Sequence, residues 1–377
     1  MTATTESGGP AGPEGDGRQF CSLHPVPKRV FQAGVTPMRE RLINLFGNKW
    51  VTGTVLRYYF FDRESDGENV LLDKGQTAFV PWRGAEGEKQ VVRSAFEVWA
   101  QQGIGIRFEE VSEREEAEIR IGFMRGDGAW SWLGRDILDH ASPNERTMNF
   151  GWNIAAPGEL DTAIHEIGHT LGFPHEHQNP KSGIEWDEEA VYQDLARPPN
   201  EWDRDKTWWN IIRKLDPGEV EGTTWDPDSV MHYPFKRGLI RKPEAFFVNG
   251  LQPAGGLSEK DRNWVRTLYP PTDDAAAPLL RPAQSVLVEL APGQQRDFRV
   301  APQETRFYDF RTFGASDAVM VLFENENGQL RYRTGDDDSG EDLNASFRIK
   351  LFKGRQYVLR IRMVHSDRRD QTAVMMW

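Results

Sequence analysis

Three histidines between residues 161 and 177 have a spacing that suits one metal ion. The stretch reads D-T-A-I-H-E-I-G-H-T-L-G-F-P-H-E-H, with His165 and His169 four residues apart. On a helix four residues turn about 400°, so these two imidazoles lie on one face, one turn apart. Gly172 allows the helix to end in a backbone turn that a Cβ would resist. The chain can then reverse and return His175 as a third ligand, which indicates a zinc site.

Glu166, the residue after the first histidine, indicates a catalytic role for the zinc site. Glu166 is displaced around the helix from His165, so its carboxylate can reach a metal-bound water rather than the metal. Three neutral nitrogen ligands leave a fourth position open for water, which is the catalytic arrangement. The pattern therefore predicts hydrolysis with Glu166 as the general base. The alternative is a surface helix with incidental histidines, although a chance match to this motif is rare.

A second motif, S-V-M-H-Y at residues 229–233, follows at a distance typical of the Met-turn of metzincins. Met231 is predicted to pack as an apolar floor beneath the metal without binding it. Tyr233 either places its phenol near the metal or is a core tyrosine with a satisfied hydroxyl. His232 is predicted to be structural, because three histidines already fill the protein side of the site. His177 is expected around the site or at the surface.

The elements that position these residues follow from periodicity. Residues 54–61 are β-branched and aromatic and predict a strand, whereas residues 90–102 place apolar side chains at helical spacing. Two more strands are predicted at residues 105–111 and 117–124, and the histidine helix at residues 161–173. This order favours an α/β arrangement with a mostly parallel sheet.

The following part of the chain is less regular. Residues 176–228 carry many Trp, Pro and Asp residues and little periodicity, which predicts an irregular segment with short helices, one of them near residues 208–214. Residues 258–268 predict a further helix, with Ser258 and Asp261 at the spacing of a capping box.

Composition divides the chain into four segments. Residues 1–47 are predicted to be a flexible N-terminal tail and a candidate pro-segment, and residues 48–271 a catalytic domain. Residues 272–282 read as a linker. Residues 283–377 show short strands separated by Gly, Asn and Asp turns, which predicts an all-β sandwich domain.

Charge and cysteine content exclude several classes of partner. The chain has 377 residues and a formal net charge of −12 at pH 7, so nucleic acid and anionic membranes are poor partners. The one cysteine, Cys21, rules out an intrachain disulfide and a cysteine-based structural zinc site. We find no signal peptide and no apolar run long enough to span a membrane. We therefore expect a cytoplasmic protein or one exported by a non-classical route, of unknown oligomeric state.

Residues 165–175 and 229–233 together resemble astacin-like zinc metallopeptidases of the metzincin group, and G-F-x-H-E at residues 172–176 is the most specific part. The resemblance covers residues 48–270 and implies an α+β, two-lobed catalytic domain with a horizontal cleft. It also implies the ligands and catalytic groups, which are His165, His169 and His175 as zinc ligands, Glu166 as general base, and Tyr233 as a movable fifth ligand that stabilises the oxyanion.

The resemblance further implies where substrate binds. The strand around Thr147, Met148, Asn149 and Phe150 would be the cleft edge that pairs with substrate backbone. An exposed strand edge is physically suited to this task, because it binds extended peptides by β-augmentation.

The chain departs from the family in three places. It has no disulfide, and H-Q-N-P at residues 177–180 replaces an Arg- and Asp-rich continuation. The family's glutamate, here Glu176, pairs with a newly cut N-terminus, so cleavage of this chain is left open. Gly15-Asp16 matches half of the Phe-x-Gly-Asp motif with which astacin propeptides block zinc. Cys21 would block zinc as a thiolate, as in matrixin propeptides, or is an inert thiol in a flexible tail.

The C-terminal sandwich resembles bacterial pre-peptidase-type C-terminal domains. Its Asp336, Asp337 and Asp338 offer clustered carboxylates that suit Ca²⁺. A solvated acidic turn is the alternative interpretation of the same residues.

These features together predict a zinc-dependent endopeptidase that hydrolyses protein or peptide substrates through a glutamate-activated zinc-bound water. One alternative is a catalytically idle zinc-containing protein that binds a partner through its sandwich domain. Another is a zinc hydrolase acting on non-peptide amides. The complete set of His, Glu, Met and Tyr disfavours the first alternative, and the predicted cleft edge disfavours the second.

Overall fold

The computed structural model describes residues 19–26, 49–50, 54–71, 75–217, 224–269, 271, 277–326, 328–340, 344–364 and 370–377. The rest of the predicted tail, including Gly15 and Asp16, lies outside the described residues, and so do residues 272–276 of the predicted linker. None of the described helices is both long and apolar enough to cross a membrane.

The first part of the described chain mixes strands with helices. Its strands are β1 (Val55–Phe60), β2 (Gly67–Leu71), β3 (Thr77–Pro81), β4 (Arg107–Glu110), β5 (Ile119–Gly122), β6 (Ala129–Ser131), β7 (Met148–Phe150), β8 (Glu185–Trp186) and β9 (Ile240–Lys242). Its α-helices are α1 (Glu86–Ala100), α2 (Asp136–His140), α3 (Leu160–Thr170), α4 (Glu188–Leu195), α5 (Arg204–Thr207), α6 (Glu244–Asn249) and α7 (Glu259–Leu268). Short 3₁₀ turns lie at Arg114–Glu116 and Glu176–Gln178, and a π-helical turn at Trp208–Ile212.

Five of these strands form one sheet in the order β4-β1-β5-β7-β6. The pairs β1–β4, β1–β5 and β5–β7 are parallel, and β6–β7 is antiparallel. The predicted mostly parallel sheet is therefore confirmed, and β6 is an edge strand of it. Strands β2 and β3 pair separately as an antiparallel hairpin.

Alternation along β1 explains how the sheet is covered. Leu56, Tyr58 and Phe60 lie two residues apart and are buried in one core, because side chains alternate between the faces of a strand. Helix α1 covers this face, and the Phe96 ring stacks on Tyr58 with centroids 4.2 Å apart. Helix α1 begins at Glu86, four residues before the prediction, since the Glu88 carboxylate accepts the Ala85 N–H at 2.9 Å and caps its first turn.

Distant side chains bind the C-terminal carbonyl groups of the histidine helix, α3. The Trp50 indole N–H donates to Thr170 O at 2.7 Å, and the Tyr269 hydroxyl donates to Leu171 O at 2.7 Å. The Trp99 indole of α1 donates to Ile164 O at 2.9 Å. The first two contacts matter because the last carbonyl groups of a helix have no partner within it, whereas the third joins α1 to the middle of α3.

The capping box predicted for α7 is present and has a second role. Ser258 Oγ accepts the Asp261 N–H at 3.0 Å, and the Asp261 carboxylate accepts the Ser258 N–H at 2.9 Å. The same carboxylate accepts from Ser229 Oγ at 2.6 Å and from Val230 N at 2.9 Å. One side chain thus joins the start of α7 to the turn at residues 229–233.

A separate core underlies the predicted irregular segment. Trp186, Leu195, Trp202 and Phe235 belong to it, between the short elements from β8 to α6. The helix predicted near residues 208–214 is found as α5 continued by the π-helical turn. These elements supply a second lobe beside the sheet.

The C-terminal part is an all-antiparallel β-sandwich, as predicted. Its strands are β10 (Val286–Leu290), β11 (Gln295–Val300), β12 (Arg306–Phe313), β13 (Ala318–Glu326), β14 (Gln329–Asp336), β15 (Ser346–Leu351), β16 (Gln356–Met363) and β17 (Asp370–Met376). They form two sheets, in the orders β10-β17-β12-β15 and β11-β16-β13-β14.

Residues 277–282, predicted to be linker, belong to the sandwich instead. Leu280 is buried in its core, and Leu280 N donates to Arg299 O at 2.9 Å.

Candidate metal and catalytic centre

Three histidines predicted to bind zinc come together at the end of α3. Gly172 adopts φ of +89°, and its N–H donates to His169 O at 2.8 Å, which reverses the chain directly after the helix. The ring of His169 lies 4.6 Å from His165 and 4.6 Å from His175, measured between centroids. The left-handed conformation explains the glycine, because a side chain would strain it.

Hydrogen bonds define which nitrogen of two rings faces the centre. His165 Nδ1 lies 2.7 Å from Val230 O, and His169 Nδ1 lies 2.7 Å from Phe173 O. A carbonyl oxygen can only accept, so both Nδ1 atoms carry the proton and both Nε2 atoms present a lone pair. This tautomer is the one in which Nε2 binds a metal while Nδ1–H is held by an acceptor.

The inward nitrogens fit a metal ion. His165 Nε2 is buried without a hydrogen-bond partner, and His169 Nε2 lies 3.1 Å from His175 Nε2. At that separation both nitrogens are within reach of one cation. Nitrogen ligands of one tetrahedral zinc ion lie roughly 3.3 Å apart, close to the distance observed here. The donor set therefore suits zinc.

Burial keeps these imidazoles neutral. It lowers the pKa of His165 to about 4, because the charged ring is poorly solvated there. The pKa values of His169 and His175 are also well below the usual range, again mainly through burial and secondarily through neighbouring imidazoles. Neutral imidazole is the form that binds metals, so the centre is prepared for a cation at neutral pH.

Glu166 is fully buried beside the histidines. Burial raises the pKa of its carboxyl group to about 8, because a carboxylate loses hydration in the interior. Its Oε1 is buried without a hydrogen-bond partner, and its Oε2 accepts from the Cys21 thiol at 3.5 Å. A buried carboxyl group with a free oxygen at this place is suited to accepting and returning a proton.

Met231 lies against α3 at the position predicted for the Met-turn. A Cβ built on Gly168 would lie 2.4 Å from Met231 Sδ, so the sulfur rests on the helix between His165 and His169. Met231 O accepts the Glu176 N–H at 3.0 Å. The turn thus contacts the chain on both sides of the reversal that carries the third histidine.

The Tyr233 hydroxyl lies in the centre. It donates to Cys21 O at 2.8 Å and lies 2.5 Å from His175 Nε2. The structure therefore favours the first of the two interpretations left open for this residue, a phenol beside the metal ligands.

Neither His177 nor His232 joins the cluster. His177 Nε2 bonds Asn210 O at 2.8 Å, and His232 Nδ1 bonds Tyr233 O at 2.7 Å.

Cys21 completes a cluster of four potential ligands. Its Sγ lies 3.4 Å from His169 Nε2, and the ligand atoms of Cys21, His165, His169 and His175 all lie within 4.8 Å of one another. Burial, with a further contribution from the Glu166 carboxylate, raises the pKa of the thiol. Phe20 and Cys21 are therefore buried at the centre, so the assignment of residues 19–26 to a flexible tail is wrong. The place of Cys21 beside the histidines favours a zinc-blocking thiolate over an inert thiol, and that role stays a prediction.

The predicted cleft edge also needs correction. Strand β7 pairs with β5 on one side and with β6 on the other, and the residues proposed to bind substrate are buried inside the sheet: Thr147, Met148, Asn149 and Phe150. The Asn149 side chain serves the fold, accepting the Met124 N–H at 2.9 Å and donating to Gly128 O at 2.8 Å. The edge strand on this side of the sheet is β6, where Ala129 O accepts the Ser22 N–H at 3.1 Å.

Two asparagines that sequence reasoning missed bind the N-terminal segment. Asn200 Oδ1 accepts the Phe20 N–H at 2.9 Å, and Asn210 Oδ1 accepts the Leu23 N–H at 2.8 Å. Both come from the stretch with little periodicity, so no pattern in the sequence distinguishes them from other loop asparagines.

The acidic turn of the sandwich is held by its own hydrogen bonds. The Asp336 carboxylate accepts from Ser339 N at 2.9 Å and from Ser346 N at 2.7 Å. Asp337 and Asp338 lie beside it. Caps of this kind stabilise turns without a cation, so the calcium site predicted at Asp336–Asp338 gains no support.

Comparisons with known proteins identify a related family. Residues 80–239 match the family model described as Astacin, a peptidase family. Protein SpAN of Strongylocentrotus purpuratus is 29% identical over 154 residues, and bone morphogenetic protein 1 of Xenopus laevis is 34% identical over 169 residues. These stretches cover 40% and 42% of this chain. A structure of myroilysin has a TM-score of 0.50 and 27% identity, covering 61% of this chain and 98% of that one.

The comparisons confirm the predicted class: the chain contains an astacin-type zinc metallopeptidase domain. The matched stretches span 22% and 21% of the length of the two curated relatives. The resemblance of the C-terminal sandwich to pre-peptidase-type domains stays a prediction.

We predict that Gly168→Ala lowers the free energy of unfolding by about 1–3 kcal/mol, because the new methyl group must displace Met231. In denaturant unfolding, Gly87→Ala is the matched control, since a Cβ there would meet Ala155 Cβ at an ordinary 3.7 Å. The control should raise stability by about 0.5–1 kcal/mol. Equal stabilisation by both substitutions would show that Met231 does not constrain the helix.

Proposed function

We propose that this chain is a zinc-dependent endopeptidase whose histidines His165, His169 and His175 hold the metal. The observation that carries the proposal is the convergence of Glu166 and Tyr233 on the cluster of inward imidazole nitrogens. When bound, zinc would supply a Lewis acid that polarises a carbonyl oxygen and lowers the pKa of bound water to about 7. The protein groups supply the proton transfers and the remaining charge stabilisation.

Glu166 acts as the general base and then as the general acid. Its Oε1 is buried without a hydrogen-bond partner beside the histidines, so it can accept a proton from the attacking water. The same proton then passes to the amine of the cleaved peptide.

Tyr233 stabilises the negative oxygen that forms when the carbonyl is attacked. Its hydroxyl already donates to a peptide carbonyl in the centre, that of Cys21, at 2.8 Å. A substrate carbonyl at the same place would accept the same hydrogen bond. Such a bond lowers the barrier if it strengthens as charge develops.

We also infer that the chain, in the conformation described, is latent. Cys21 Sγ takes the position beside the histidine nitrogens that water needs for hydrolysis. Thiolate is a strong zinc ligand, and a nearby cation would counteract the burial that raises the thiol's pKa. The surrounding segment is at the same time hydrogen bonded to Tyr233 and to the β6 edge, so metal and cleft are blocked together.

The alternatives predict different products. A zinc-containing binding protein would leave peptides intact in every variant, and an amide hydrolase would act on small amides without cutting peptides. The cleft favours the peptidase, because a peptide segment already lies across the centre and bonds through its backbone.

We predict that Cys21→Ala raises peptide cleavage by the full chain by about tenfold or more, since the competent fraction of the protein increases. A second measurement is independent of turnover. With Co²⁺ in place of zinc, wild type should show a thiolate-to-metal charge-transfer band that the variant lacks. Ser22→Ala is the control and should keep both wild-type properties. A wild-type protein without the band would refute Cys21 as a ligand.

In the Cys21→Ala background, Glu166→Ala should keep its zinc and lose about 10³-fold in kcat, because the base acts in the transition state. Metal content and cleavage of a peptide mixture, read by mass spectrometry, test both parts. Exposed Glu244→Ala is the control and should cut as fast as its parent. Near-parental turnover of the Glu166 variant would remove Glu166 from the mechanism.

In the same background, Tyr233→Phe should lower kcat about 10–100-fold with little change in KM, because one oxyanion contact is lost. Steady-state kinetics on one peptide separates the two constants. Tyr192→Phe is the matched control, since its ring lies under Arg204 away from the cluster. An unchanged kcat would return Tyr233 to a packing role.

A further inference from the structure

Residues 19–26 show how the centre binds a peptide backbone. Asn200 Oδ1 accepts the N–H of Phe20 at 2.9 Å, and Asn210 Oδ1 accepts the N–H of Leu23 at 2.8 Å. Asn210 is itself fixed, because its Nδ2 donates to Lys206 O at 3.1 Å. The Asn210 amide is thus held with its oxygen directed at the passing chain.

Two further groups bind the backbone between these amides. The Ser22 N–H donates to Ala129 O on the β6 edge at 3.1 Å, and Cys21 O accepts from the Tyr233 hydroxyl at 2.8 Å. All four contacts use backbone atoms, which every peptide possesses. They can hold an extended peptide of any sequence, as a strand edge does, and so they do not select one.

Side-chain selection occurs at Phe20. Its ring is buried, with centroids 5.0 Å from Tyr233, 5.9 Å from Phe235 and 6.4 Å from Trp202. Edge-to-face and stacked contacts of this kind favour a flat apolar side chain. We call the site formed by Trp202, Tyr233 and Phe235 the aromatic pocket.

The aromatic pocket lies one residue from the centre, because Phe20 adjoins the cysteine whose sulfur meets the histidines. We infer that this pocket determines the specificity of the proposed peptidase: it takes an aromatic or large apolar side chain at one of the two positions that flank the cut bond. Asn200 and Asn210 are the positioning residues that bind the amides of the same substrate. The inference rests on the proposed function.

A charged side chain fits the pocket less well. Its walls are three aromatic rings, and a buried charge without a partner is unfavourable. One cation lies close, since Lys206 Nζ is 4.9 Å from the Trp202 ring centroid. A preference for acidic residues would therefore assign the specificity to Lys206 and not to the aromatic walls.

The test is a peptide-library digest by the full chain carrying Phe20→Ala and Cys21→Ala, which empties the pocket and frees the centre. We expect Phe, Tyr, Trp, Leu or Met at one flanking position to be cut at least about tenfold faster than Ala, given the apolar area buried. Cleavage without this preference, or with an acidic preference, overturns the inference and leaves the proposed function intact. Cleavage of no peptide overturns the proposed function and this inference with it.

Variants in that background assign the roles. Trp202→Ala should abolish most of the preference. If that variant does not fold, Phe235→Leu provides the test and should change the ratio of the cleavage rates at Trp and at Leu. Exposed Phe247→Ala is the control and should keep the parental preference. Asn200→Ala should raise KM roughly 2- to 10-fold for all peptides alike, and in the wild-type chain it should speed hydrogen exchange of the Phe20 amide. A preference unchanged by both pocket variants refutes the pocket.

Discussion

Three neutral imidazoles converge in the interior of this protein. The surrounding structure holds two of them by their outer nitrogens. Carbonyl groups of Val230 and Phe173 hold the outer nitrogens of His165 and His169. Because these acceptors belong to the turn and to the reversal after α3, the backbone alone sets which nitrogen points inward.

Asp261 connects this centre to the rest of the domain. Its carboxylate caps α7 and at the same time binds Ser229 and Val230 of the Met-turn. The turn then places Met231 against Gly168, where the helix has no side chain to resist it. Helix α7, the Met-turn and α3 therefore form one mechanical unit, although their sequences are far apart in the chain.

In the proposed latent state, the N-terminal segment occupies the same groups that form the active centre. Tyr233, the β6 edge and two asparagines all bind its backbone, and the cysteine meets the metal ligands. Groups that would bind a substrate are in this way occupied by the chain itself. Such latency requires no separate inhibitory domain, because the N-terminal segment uses the contacts that would otherwise bind a substrate peptide.

Local patterns in the sequence determined much of this protein. Helical spacing of His165 and His169, a glycine before His175 and the Met-turn are short-range features, and they predicted the cluster. Short strands separated by Gly, Asn and Asp turns predicted the sandwich. Tertiary structure alone decided that β6 is an edge strand of the sheet and that residues 147–150 are not, because strand order depends on pairings between distant segments. It also decided that Cys21 meets the histidines and that Asn200 and Asn210 hold the segment beside it. These contacts span more than 140 residues of chain in each case, and no periodicity records which distant residues will meet.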